Sequence, residues 1–123
     1  MHRMSSDSVI IVPTYNERDN LPGIVDRVMK LPMSVDILVV DDNSPDGTGQ
    51  VADAIAAANP RVHVLHRAGK EGLGRAYLAG FAWALANPYE FVFEMDADFS
   101  HNPDDIPRLL QAAREQSADL VLG

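Results

Sequence analysis

Ile37-Leu38-Val39-Val40-Asp41-Asp42-Asn43-Ser44-Pro45-Asp46-Gly47-Thr48 is the stretch whose reading decides the fold. Four aliphatic residues in a row leave no polar face. A strand built from them must be covered on both sides, as strands are in parallel sheets packed between helices. The run ends on two acids, and Asp42 to Gly47 is dense in turn-forming residues. Val51, Ala52, Ile55 and Ala56 then recur at helical spacing. The unit is therefore a buried strand, a polar loop and an amphipathic helix.

The same unit recurs in both directions along the chain. Val9-Ile10-Ile11-Val12 is a strand closed by Pro13, followed by Leu21, Ile24, Val25, Val28 and Leu31 at helical spacing. Val62-His63-Val64-Leu65-His66 alternates more and belongs nearer a sheet edge. Leu73, Ala76, Tyr77, Gly80, Phe81, Ala84 and Leu85 form the next apolar stripe, with Gly80 suited to close packing. Phe91-Val92-Phe93-Glu94-Met95 is a fourth strand, and Leu120-Val121-Leu122 begins a fifth. Between them, Asn102-Pro103-Asp104-Asp105 opens a helix with a capping side chain, an early proline and acids in its first turn. The predicted class is α/β, a doubly wound, mostly parallel sheet with helices on both faces and right-handed crossovers.

The 123 residues suffice for one domain with a core. Acids outnumber bases 18 to 10, a formal charge of -8, which repels phosphate backbones and argues against nucleic acid as a partner. Cysteine is absent, excluding disulfides, thiolate nucleophiles and Cys-based zinc sites. No apolar run approaches the ~18 residues of a membrane span. Residues 1–7 lack the apolar segment of a secretory signal and read as a frayed, disordered tail, leaving 8–123 as the domain.

In sheets of this kind ligands bind beyond the carboxyl ends of the strands, where strand order reverses. Each predicted strand is followed by a polar loop. Asp96-Ala97-Asp98 is the sharpest, because two carboxylates two residues apart at a strand end can converge on a hard cation such as Mg²⁺ or Mn²⁺. A turn with solvated acids is the competing reading. His101 is either a metal or phosphate neighbour or a loop residue. Asp41 and Asp42 cannot both point one way, so one caps the following turn while the other meets a ligand; a carboxylate can accept two hydrogen bonds from adjacent N–H donors of guanine, or bind uracil. Lys70-Glu71-Gly72-Leu73-Gly74 precedes a helix, so Gly72 and Gly74 admit either a phosphate or a tight helix entry. Tyr15 can lie against a base or ribose, and Glu17 can take a ribose hydroxyl. Neither the Walker nor the dinucleotide-binding glycine pattern is present. His63 and His66 point to opposite faces and make no metal pair. Trp83 is a core or interface residue.

Taken together, Val12-Pro13-Thr14-Tyr15-Asn16-Glu17, Val40 to Thr48, Lys70 to Tyr77 and Met95-Asp96-Ala97-Asp98-Phe99-Ser100-His101 resemble the donor half of family 2 glycosyltransferases with the GT-A fold. The likeness is closest to the polyprenol-phosphate (dolichol-phosphate) mannose synthases. It implies that Pro13, Tyr15 and Glu17 line the nucleoside pocket and that Val40 and Asp42 meet the base. It implies that Asp96, Ala97 and Asp98 hold the metal and diphosphate, with Asp96 and Asp98 catalytic and Asp98 the most direct ligand. Some members carry Gln where this chain has Ser100. The implied reaction is metal-dependent, inverting transfer of mannose from GDP-mannose to a polyprenyl phosphate. A UDP-sugar donor, a receiver-like Mg²⁺-binding signalling domain and a non-catalytic fragment are the alternatives. Family domains run beyond this length, so the chain reads as a half that stops at the fifth strand, expected to turn over poorly alone. Self-association through an open sheet edge follows from that expectation. A cytoplasmic location, with peripheral attachment at the membrane carrying the acceptor, is the corresponding expectation.

Overall fold

A computed structural model describes residues 8–31, 34–68, 73–87, 89–95 and 120–122, the last three by their backbone. The elements are β1 (Ser8–Thr14), α1 (Leu21–Met29), β2 (Asp36–Asp41), α2 (Thr48–Ala58), β3 (Val62–His66), α3 (Leu73–Leu85), β4 (Phe91–Glu94) and β5 (Leu120–Leu122). The strands form one sheet in the order β3-β2-β1-β4-β5, and every pairing is parallel. The α/β class is as expected, and β3 is an edge strand, as its alternation predicts. The tail over residues 1–7 and the helix expected from Asn102 lie outside the described residues.

Period-two alternation divides each buried strand between two cores. Ile10, Val12, Ile37, Val39 and Phe93 face one way, where Leu21, Ile24, Val25 and Val28 of α1 and Ala52 of α2 cover them. Val9, Ile11, Leu38, Val40 and Val92 face the other way, against Ala76 and Ala84 of α3. The change of face has a cause. From β1 the chain winds outward to β2 and β3, then returns past β1 to β4. Crossovers of a single hand require the returning helix to lie on the opposite side of the sheet. The winding therefore reverses between β1 and β4.

α3 crosses its strands at close range because Gly80 has no side chain. A Cβ there would sit 2.6 Å from Ile11 Cγ2, a distance that forces one element to move. The close-packing role expected of Gly80 holds. Leu85, by contrast, does not complete the buried stripe; it is 83% exposed. The buried row runs Ala76, Gly80, Ala84. Leu85 instead extends the flanking row of Tyr77 and Phe81 by one further turn, at the helix end.

β1 also runs two residues further than expected, through Pro13, in register with Val40, to Thr14. Alternate residues of a parallel strand address opposite neighbours. The Thr14 carbonyl accepts from Asp42 N at 3.1 Å on the β2 side, and the Ile11 carbonyl accepts from Met95 N at 3.0 Å on the β4 side. Pro13 shares the parity of Ile11, so its missing donor faces β4 beyond the last ladder pair, Ile11 with Glu94. Proline is tolerated there because no ladder bond is due.

The amino edge of the sheet carries a buried acid. The Asp36 side chain is 1% exposed. Its Oδ2 accepts from the Tyr89 hydroxyl at 2.5 Å and from His63 Nε2 at 3.1 Å. Trp83 closes the cluster, 5.1 Å from the His63 ring and 5.9 Å from that of Tyr89. Asp36 Oδ1 has no hydrogen-bond partner among the described residues. Burial, and then the bond to Asp36, push the pKa of Tyr89 above the ordinary phenol range. A raised native pKa contributes stability that is complete below the unfolded value near ~10 and lost as pH rises beyond it. Tyr89→Phe is therefore expected to flatten the alkaline fall in stability, read as the urea midpoint between pH 8 and pH 11 (roughly the window spanning that unfolded value). An equally steep fall in the variant contradicts this.

Candidate functional site

All the loops that follow strands emerge at the opposite, carboxyl edge. Two of them, 15–20 after β1 and 42–47 after β2, are held together by side chains whose partners are distant in sequence. Asp41, the last residue of β2, is 1% exposed. Its Oδ1 accepts from Thr14 Oγ1 at 2.7 Å and Ser44 Oγ at 2.6 Å, and its Oδ2 from Ser44 N at 3.0 Å. Asp41 is thus the acid that caps the turn, as one of the pair was expected to do.

Asp42 points elsewhere. It is 5% exposed and its Oδ1 accepts from Arg67 Nη1 at 2.9 Å. Arg67 is itself anchored, because its N–H donates to the Asp41 carbonyl at 2.8 Å. A charge-assisted bond at the mouth of a loop cluster orients both partners. Arg67 was not singled out from the sequence. The available signal was its place one residue after an edge strand whose neighbour ends in acids.

The β1–α1 loop is tied down along its length. Asn16 N donates to Ser44 Oγ at 3.0 Å, Glu17 N to Thr48 Oγ1 at 3.0 Å and Arg18 N to Asp46 Oδ2 at 3.2 Å. Asp46 also accepts from Thr48 N at 2.9 Å and from the Thr48 hydroxyl. That hydroxyl bond is the leading cause holding the Asp46 carboxyl below the usual carboxylate range. Asn16 and Asn43 adopt left-handed backbone angles, φ 58 and φ 55.

The residues singled out from the sequence fall as follows. Tyr15 is exposed at the loop surface and Glu17 is half-buried beside it, its Oε2 accepting from Asn20 Nδ2 at 3.4 Å. Pro13 is buried at the end of β1. Val40 is wholly buried and packs with Val9, Ile11 and Leu38, so its place is in the core and not on the loop surface. Gly74 lies in the first turn of α3. Asp96, Ala97, Asp98, His101, Lys70 and Gly72 lie outside the described residues. β4 delivers the chain to this edge through the Met95–Ile11 bond, and Asp96 is the next residue. His66 bonds Asp53 Oδ1 at 2.8 Å while His63 bonds Asp36, so the two histidines do serve opposite faces. A pocket of about 120 Å³ lies beside Arg67 and is bordered also by Asp41, Ser44, Gly49, Asp53 and His66. Among the described residues, no group of three or more His, Asp or Glu is arranged for a metal, and no helix is long and apolar enough to cross a membrane.

The family model described as glycosyl transferase family 2 matches residues 9–123. The chain belongs to that family. Polyprenol monophosphomannose synthase of Mycolicibacterium smegmatis is 56% identical over 122 residues, which are 98% of this chain and 46% of that protein. Undecaprenyl-phosphate mannosyltransferase of Micrococcus luteus is 56% identical over 113 residues, 92% of this chain and 46% of that protein. The chain thus spans about half the length of the curated relatives it matches. Among solved structures, mannosyltransferase PcManGT from Pyrobaculum calidifontis, in complex with GDP-Man and Mn²⁺, superposes with a TM-score of 0.75 at 22% identity, over 89% of this chain and 33% of that one. TarS of S. aureus superposes with a TM-score of 0.73, also at 22% identity, over 93% of this chain and 33% of that one. These likenesses establish the GT-A type of fold for this family 2 member.

The Asp42–Arg67 pair has an immediate consequence for stability. Arg67→Ala strands a carboxylate whose side chain is 7% exposed, and the loss of such a charged hydrogen bond costs about 2 kcal/mol. Urea denaturation of the variant should show that loss; an unchanged midpoint contradicts the pairing.

Proposed function

We propose that this chain forms the donor-binding half of a polyprenol-phosphate mannosyltransferase, moving mannose from GDP-mannose to a polyprenyl phosphate with inversion. The 56% identity to two mannosyltransferases of lipid-phosphate acceptors carries the reading, and the Asp42–Arg67 pair supports it from the structure. The Watson–Crick edge of guanine presents two adjacent N–H donors and then a carbonyl acceptor. Asp42 Oδ1 accepts from Arg67 Nη1, so carboxylate acceptors lie beside a guanidinium donor, the order of acceptor, acceptor and donor that this edge of guanine complements. Uracil presents one N–H between two carbonyls, so the second oxygen of Asp42 would meet another acceptor. Tyr15 supplies a flat side chain at the same edge, and Glu17 a carboxylate for a ribose hydroxyl.

Asp96 and Asp98 are the residues that would hold a divalent cation. Their donor set fits one, since carboxylate oxygens suit Mg²⁺ or Mn²⁺. They follow directly on β4, whose neighbour across the reversal of winding is β1. When bound, the cation supplies stabilisation of charge developing on the diphosphate leaving group. In the transfer, an acceptor phosphate oxygen forms the new bond to the anomeric carbon from the face opposite the departing diphosphate. A phosphate monoester with a second pKa near ~6 is largely dianionic at neutral pH. The residues of this chain therefore need not remove a proton, and their work is to bind and orient the donor. An acceptor carried in a membrane is consistent with peripheral attachment.

A thermal-shift panel tests this reading. A ligand that binds only the folded state raises its apparent stability by mass action. GDP and GDP-mannose with Mn²⁺ should raise the melting temperature, and UDP and UDP-glucose should raise it less. Asp98→Ala should remove the metal-dependent part. Preference for UDP assigns the chain a different donor, and no response to any nucleotide overturns the proposal.

A further inference from the structure

We infer that Ser44 and Thr48 are positioning residues, two hydroxyl relays that set the direction of Tyr15 and Glu17 by holding the backbone between them; this rests on the nucleotide site proposed above. Three consecutive amides, those of Asn16, Glu17 and Arg18, are all consumed by side chains of the β2–α2 loop and of Thr48, the first residue of α2. The distances are 3.0 Å to Ser44 Oγ, 3.0 Å to Thr48 Oγ1 and 3.2 Å to Asp46 Oδ2.

The polarity of the first two bonds is imposed from behind. A hydroxyl has one proton and two lone pairs. Ser44 Oγ donates its proton to Asp41 Oδ1 at 2.6 Å, and Thr48 Oγ1 donates its proton to Asp46 Oδ1. An ionised carboxylate only accepts, so each hydroxyl is left with lone pairs alone to face the amide. The order is N–H to hydroxyl to carboxylate in both cases, on neighbouring residues of the β1–α1 loop. Charge-assisted acceptors make such bonds stronger than neutral ones.

The backbone shows why the holding matters. Asn16 sits at φ 58, a left-handed conformation that asparagine adopts more readily than most residues with a Cβ and that its surroundings here hold in place. The relays bracket it: Asn16 is the first amide held and Glu17 the second. Were Asn16 to relax to negative φ, Tyr15 and Glu17 would leave the edge they share with Asp42. Asp41 and Asp46 thus act on the cleft through the two hydroxyls and not by touching a ligand.

Amide hydrogen exchange and GDP binding in the presence of Mn²⁺ test this together. Ser44→Ala and Thr48→Val each remove one relay. Each should speed exchange at its own amide, Asn16 or Glu17 respectively, and weaken GDP binding roughly tenfold, the equivalent of ~1.4 kcal/mol. Ser44→Thr and Thr48→Ser retain a hydroxyl and should restore both protection and affinity to within about twofold, with the same conversion. These conservative variants also serve where the Ala or Val change impairs folding. Faster exchange with unchanged GDP affinity overturns the positioning role. Unchanged exchange overturns the relays themselves. A wild-type chain that shows protected amides at 16 and 17 but binds neither GDP nor UDP overturns the nucleotide reading, and with it the role assigned to Ser44 and Thr48.

Discussion

Because every described strand runs parallel to its neighbours, each loop that follows a strand emerges at one edge of the sheet, and each loop that precedes one emerges at the other. The sorting is a consequence of chain direction and needs no help from side chains. Single-handed crossovers add the second constraint. They oblige α1 and α2 to share a face and α3 to take the other, and they put the reversal of winding between β1 and β4. A crevice opens at such a point because the flanking loops leave in opposite directions. β1 and β4 flank that point, the β1–α1 loop leaves from it, and Met95, bonded to the Ile11 carbonyl, brings the chain to it.

The two edges are built differently. At the amino edge, Asp36 is sealed under Tyr89, His63 and Trp83, and its environment is aromatic. At the carboxyl edge, Asp41, Asp42 and Asp46 are each met by hydroxyls, amides or a guanidinium. Buried charge is tolerated only where hydrogen bonds or a partner replace water. The first arrangement locks β2, β3 and the entry to β4 together. The second joins the β1–α1 loop to the β2–α2 loop and leaves Tyr15 on the outside. A negative charge of -8 is thus partly accounted for by acids working as acceptors within the fold.

Much of this was legible in the sequence because it depends on local pattern. The aliphatic runs at Val9 and Ile37 gave central strands, and the weaker alternation at Val62 gave an edge. Gly80 stood in the middle of a helical stripe where a strand crosses. Leu85 was misread because periodicity cannot tell where a helix outruns the sheet beneath it. Pro13 was read as a stop because the parity that spares it a ladder bond belongs to the pairing of β1 with β4. The pattern alone showed that the carboxylate pair at Asp41 and Asp42 splits its duties, while only the family resemblance pointed to Asp42 as the ligand-facing acid. That choice depends on Thr14, 27 residues away, and on Arg67, 25 residues away. The relays through Ser44 and Thr48 join loops 28 and 31 residues apart, and no spacing rule reaches across such gaps.

Central to the account is that nucleotide and cation meet at the carboxyl ends of β1 and β4. Paramagnetic broadening of backbone amide signals by Mn²⁺, recorded with GDP present, locates the cation directly. The account predicts that Thr14, Tyr15 and Met95 lose intensity first while Asp36, His63 and Tyr89 keep theirs. Broadening centred on the amino edge, or spread evenly over the surface acids, would contradict it.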